Sequence, residues 1–151
     1  MTDSPTTTRP GSFIAIPDDI RTFIDDTRFA TIATTDADGA PRQAVIWYTV
    51  DGDEIVLNSK VGRRWPSNLV RDPRIAFSVV DATDGYQWIG LTGRVTVVED
   101  QATAQADIAG MARRYHADDP GKAERLIRDR FEQQTRISFR MGVYTVIRHV
   151  D

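Results

Sequence analysis

Apolar residues recur along this chain first at helical and then at alternating spacing. Ile20, Phe23 and Ile24 lie three and four residues apart behind Pro17, Asp18 and Asp19. Proline at a first helical position and acids at the positive end of the helix dipole predict a short helix over residues 17–26. From residue 29 the period becomes two. Residues 29–35 (FATIATT) read as a strand, Asp36-Ala37-Asp38-Gly39 as a turn, 42–50 (RQAVIWYTV) as a second strand, and Asp51-Gly52-Asp53 as the hinge to a third at 54–59. Three strands joined this tightly are expected to be antiparallel neighbours. A fourth strand follows at 74–80, with Ile75, Phe77 and Val79 on one face, and a fifth, long one at 86–98. Gly90 and Gly93 inside the fifth predict a bulge or bend. Two amphipathic helices are expected at 100–116 and 120–134. Strand character returns at 136–141 and 143–149, and Gly142 is read as the break between two final strands.

These elements sum to a mainly β (α+β) chain of six or seven antiparallel strands and three or four flanking helices. A small closed barrel, which leaves no exposed sheet edge, is the architecture they favour. Residues 1–12 are rich in Thr, Ser, Pro and Gly and are expected to be a loose tail, with 13–151 forming a single domain.

Composition removes several kinds of chemistry. The chain has no cysteine, so thiolate catalysis and cysteine-ligated metals are out. Its two histidines, His116 and His149, lie far apart, and no metal site is expected. No signal peptide or membrane span is visible, which points to a cytoplasmic protein. The net charge is −3, yet residues 55–74 carry Lys60, Arg63, Arg64, Arg71 and Arg74 against Asp72 alone. A compact cationic island on an acidic chain suits a small anionic ligand better than a nucleic acid.

No nucleophile elbow, Walker loop, dinucleotide fingerprint or zinc-protease motif occurs, so no catalytic side chain is nominated. If the chain is an enzyme, a bound cofactor carries the reaction. In the basic loop Asn58 and Ser59 offer side-chain donors, Gly62 lets the backbone turn, and Arg63 and Arg64 can fork onto phosphate oxygens. A solvated surface turn would show the same residues. Trp47 and Tyr48 are adjacent on a strand, so at most one faces the interior. The residues around Val45, Ile46 and Trp47 either pack in a core or subunit contact or press against a flat ring.

The order of two segments carries a family resemblance. Arg42-Gln43-Ala44-Val45-Ile46-Trp47 is followed by Val56-Leu57-Asn58-Ser59-Lys60-Val61-Gly62-Arg63-Arg64, and then by Asn68-Leu69-Val70-Arg71-Asp72-Pro73-Arg74. In this order and spacing the chain resembles the pyridoxamine 5′-phosphate oxidase-like split-barrel flavoproteins, and in its short Ile-Trp-Tyr-Thr run their deazaflavin (F420)-dependent branch. The resemblance implies the FMN-binding split-barrel topology and a homodimer with its cofactor site between subunits. It also implies an oxidoreductase that passes a hydride between F420 and a small unsaturated substrate. Val45, Ile46 and Trp47 would line the ring. Lys60, Arg63 and Arg64 would hold the phosphate and acidic tail, with Asn58, Ser59 and Asn68 beside them. FMN in an oxidase or reductase, or a non-catalytic flavin, deazaflavin or haem carrier, are the alternatives.

Overall fold

The structure, a computed structural model, describes residues 6–7 and 12–150. In chain order its elements are β1 (Thr6–Thr7), α1 (Asp18–Asp25), β2 (Ala30–Thr35), β3 (Pro41–Ile46), β4 (Thr49–Asp51), β5 (Glu54–Lys60), α2 (Arg64–Arg71), β6 (Arg74–Val80), β7 (Trp88–Val98), α3 (Gln101–Tyr115), α4 (Pro120–Asp129), a 3-10 turn (Phe131–Gln133) and β8 (Arg136–His149). Apart from Thr6–Thr7, which pairs with Val146 and Thr145 of β8, the tail expected over residues 1–12 lies almost wholly outside the described residues.

One antiparallel sheet runs in the order β3-β2-β6-β7-β8-β5-β4. Alternation explains how it curls round its contents. Ile32 of β2, Ile75, Phe77 and Val79 of β6, Ile89 and Leu91 of β7, and Ile137, Phe139 and Met141 of β8 are all buried in one cluster. The α1 stripe closes one end, with Ile20 and Ile24 fully buried. Each such side chain is worth about 1.5–3 kcal/mol relative to exposure. The strand β5 is buried on both faces: Ile55 and Leu57 enter the barrel cluster, while Val56 packs with Ile108, Met111, Ile127 and Phe131 under the helical cover. The outer face of β5 and β8 is therefore roofed by α3 and α4, and that roof positions the site.

Three sequence expectations change in form. Residues 42–50 are two strands, because β3 pairs with β2 and β4 pairs with β5 at opposite ends of the sheet. Trp47 and Tyr48 bridge the two ends, so the sheet is a split barrel and its ladder is not closed. The last segment is one fourteen-residue strand and not two. Gly142 does not break it; a side chain there would run into the ring of Phe13, and one at Gly93 would run into the carbonyl of Gly142. The expected irregularity in β7 is a register shift against β8 at Thr92/Gly93, with one extra residue on the β8 side. Finally, the helix expected over 120–134 stops at Asp129 and gives way to the 3-10 turn, which Gln105 holds by donating to the Phe131 and Gln134 carbonyls at 2.9 Å each.

Candidate functional site

A cleft of about 330 Å³ opens where the helical roof meets the barrel wall, bordered by β3, β5, the start of α2, α3 and the 3-10 turn. Local sequence explains each wall. Along β3 the side chains alternate, so Ile46 turns inward while Val45, 71% exposed, stands at the mouth. At the seam Tyr48 takes the interior. It is fully buried, edge-on to Phe77 at 5.2 Å, with its hydroxyl donating to the Ile24 carbonyl at 2.8 Å, and its burial pushes the phenol well above its usual range. Trp47 takes the outer side, stacked on Tyr115 at 5.1 Å and met edge-on by Phe131 at 6.4 Å.

Asn58 points out of β5 under the roof and is 7% exposed. Its amide donates to the Ala104 carbonyl at 2.9 Å and to Ser138 Oγ at 2.8 Å, and its Oδ1 accepts from Arg136 Nε at 3.0 Å. Both amide hydrogens are thus engaged within the protein, and Asn58 acts on the cleft by holding Arg136. That arginine is the first residue of β8 and only 5% exposed. Gln101 clamps its backbone with a pair of bonds at 2.8 and 3.0 Å, Gln134 Oε1 accepts from Nη1 at 2.6 Å, and its guanidinium carbon sits 4.9 Å from the centre of the Phe131 ring. Arg63, at the N-cap of α2, and Arg130, at the end of α4, are exposed and complete a cationic rim. No carboxylate lines the cleft, and none of Arg63, Arg130 and Arg136 has an ion-pair partner among the described residues. Burial, with Arg63 adding repulsion, pulls the Arg136 guanidinium down to about 10.

The cleft brings together Val45, Ile46, Trp47, Asn58 and Arg63 of the expected residues. It does not include Ser59, Lys60, Arg64 or Asn68. Ser59 is buried and its hydroxyl donates to the Lys60 carbonyl, while Lys60 faces solvent. Asn68 is buried against β2, donating to Thr34 Oγ1 at 3.1 Å and Asp36 Oδ1 at 2.8 Å. Arg64 lies 3.5 Å from the same aspartate, which also pairs with Arg42 at 2.9 Å. Hydrogen bonds from Arg42 first and Asn68 second hold the Asp36 carboxyl down to about 2. Arg64 and Asn68 therefore belong to a structural network that ties α2 to β2. Arg130 and Arg136 are the residues sequence reasoning missed; neither stands in a motif. The one available signal for Arg136 was its alternation with Ser138 on the polar side of a strand whose other side is apolar.

The chemistry of the lining fits a flat, anionic ligand. Indole and phenyl faces suit a ring, and forked guanidinium groups suit phosphate or carboxylate oxygens. Among the described residues no three His, Asp or Glu side chains converge as a metal site would require.

Sheet topology and cleft together define a split-barrel protein with a cationic, aromatic-lined pocket. The sequence profile of the pyridoxamine 5′-phosphate oxidase family matches residues 16–138, and the chain belongs to that family. A search of curated protein sequences returned no match. Among solved structures, the chain is similar to an F420 reductase (19% identity over 87% of this chain and 98% of that one, TM-score 0.69). It is also similar to a conserved hypothetical protein from Mycobacterium tuberculosis (23% identity, 95% and 91% covered, TM-score 0.72). A third similar structure is the haem storage protein HutZ from Vibrio cholerae (17% identity, 89% and 96% covered, TM-score 0.66). At these identities the likeness is one of fold. No helix among the described residues is long and apolar enough to cross a membrane.

Proposed function

We propose that the cleft binds the deazaflavin F420 and that the protein is an F420-dependent reductase acting on a small unsaturated substrate. The observation that carries this reading is the set of three arginines, Arg63, Arg130 and Arg136, that among the described residues have no ion partner and surround an aromatic-lined cleft without a carboxylate. The split-barrel family and the similarity to an F420 reductase support it. A bound deazaflavin would supply a ring carbon that gives or takes a hydride. The protein's part is to hold and shield. Trp47 and Val45 would pack beside the ring, the arginines would neutralise the phosphate and acidic tail, and the α3–α4 roof would exclude water. Val45 and Phe29 (61% exposed) leave an apolar lip at the mouth. A second copy of the chain covering that lip would make the working unit a homodimer.

Fluorescence titration of the purified protein with F420 and, separately, with FMN tests the reading. Tighter binding of F420 is expected, and a preference for FMN would move the protein to the flavin-dependent members of its family. Arg63→Ala should weaken F420 binding about tenfold, the loss of one charge-assisted hydrogen bond to phosphate. Arg64→Ala, whose charge serves Asp36, should leave it within about twofold. Equal effects of the two substitutions would put the ligand elsewhere.

A further inference from the structure

Arg136 is in an unusual state for a buried arginine. Guanidinium groups removed from water are normally met by a carboxylate, because desolvation of an unpaired charge costs several kcal/mol. Here the partners are all neutral: the Asn58 and Gln134 amide oxygens and the Phe131 ring. Its Nη2 makes no hydrogen bond among the described residues. Glu99 lines a second groove that Arg136 also borders, and among the described residues no ion pair joins the two. The side chain is nevertheless fixed. Two of its nitrogens are tethered, its backbone is clamped by Gln101, and Gln105 holds the turn that carries Gln134. A charge this firmly aimed and left uncompensated is a receptor waiting for a counter-charge.

We propose that Arg136 is the inner anion-binding residue of the cleft, its free Nη2 edge taking a phosphate oxygen of the ligand while Arg63 closes on the same group from the rim. This rests on the reading of the cleft as a site for a phosphate-bearing ring, and adds that the charge serves the ligand and not the fold. Asn58 then acts as a positioning residue, and the solvent-facing Lys60, opposite Arg136 in the β5–β8 ladder, takes no part.

The test compares wild type, Arg136→Met and Arg136→Lys with three probes: each cofactor ring with its phosphate, the same ring without it (FMN against riboflavin, F420 against its phosphate-free chromophore), and inorganic phosphate alone. Wild type should favour the phosphorylated ring by about ten- to hundredfold, the range of a charge-assisted bond. Arg136→Met should lose most of that preference while still binding the phosphate-free ring, and Arg136→Lys, which keeps the charge without the fork, should retain part of it. In the absence of ligand, Arg136→Met relieves a buried charge but takes a donor from the Asn58 and Gln134 amide oxygens, so the two effects offset and it should melt within a few degrees of wild type. Inorganic phosphate should raise the melting temperature of wild type and not of Arg136→Met. Undiminished phosphate preference in Arg136→Met would overturn the proposal, and so would its failure to fold or a fall of several degrees in its melting temperature. If wild type binds none of the rings, the cofactor reading fails, and the inorganic phosphate arm still decides whether Arg136 receives anions.

Discussion

Replacing Asn58 by alanine probes the joint on which the cleft depends. The substitution deletes three buried hydrogen bonds: two neutral ones, to Ala104 O and Ser138 Oγ, and one from the Arg136 guanidinium. Neutral bonds contribute about 1 kcal/mol each and those to a charged group about 1.5–3. The Ser138 hydroxyl can turn and recover part of its share, so the net expectation is a loss of about 3–5 kcal/mol. For a domain of this length that corresponds to a fall of about 10 °C in Tm. Urea denaturation followed by circular dichroism at constant slope measures the free energy, and a thermal melt checks it. Asn58→Asp supplies the control. It keeps an acceptor for Arg136 and adds the missing counter-charge, so it should be less destabilised than Asn58→Ala while losing affinity for anions. A loss below about 1 kcal/mol in Asn58→Ala would refute the reasoning, because it would mean that Arg136 and the roof do not depend on this side chain.

Other expectations follow from the same geometry. Gly93→Ala drives a methyl into the Gly142 carbonyl and should cost about 3 kcal/mol or more, whereas Gly142→Ala meets the ring of Phe13, which is 57% exposed and can shift at the expense of its stacking on Tyr144, and should cost less; paired urea curves rank them. Asp36, Asp72 and Asp81 each have their carboxyl lowered to about 2, by Arg42, Arg74 and Arg28 respectively as the main cause. Their stabilisation is full above the unfolded value of about 3.8 and is lost as pH falls through about 2. The urea midpoint should therefore drop between about pH 4 and pH 2, less steeply in Asp36→Asn; a flat midpoint over that window would count against these pairs.

How much the chain disclosed depended on whether local pattern or distant contact decided the matter. The strand at β6 was legible because alternation and the Asp72-Pro73 stop are local, and the inward turn of either Trp47 or Tyr48 followed from strand geometry alone. The split at that same pair was not legible. Alternation continues smoothly through it, and only the curl of the whole sheet decides that β3 and β4 take partners at opposite ends. Gly142 misled for a related reason, since its job is to admit Phe13, more than a hundred residues earlier. In the basic loop, composition drew attention to a segment that borders the cleft but could not separate Arg63, which reaches it, from Arg64 and Asn68, which serve Asp36. Arg136 stands far along the chain from the loop and becomes its neighbour only through the β5–β8 ladder.

The pair Trp47-Tyr48 works as a clasp on the barrel. Hydrogen bonds run round the wall from β3 to β4 and then stop, and the circuit is completed by a two-residue link that carries a buried phenol. Val45 and Ile46 lie on one lip of this clasp and Asn58 lies behind the other, on the strand that pairs with β4. A guest wedged between them bridges a gap the backbone leaves open, so occupancy should slow amide exchange on both lips at once and stiffen the shell as a whole.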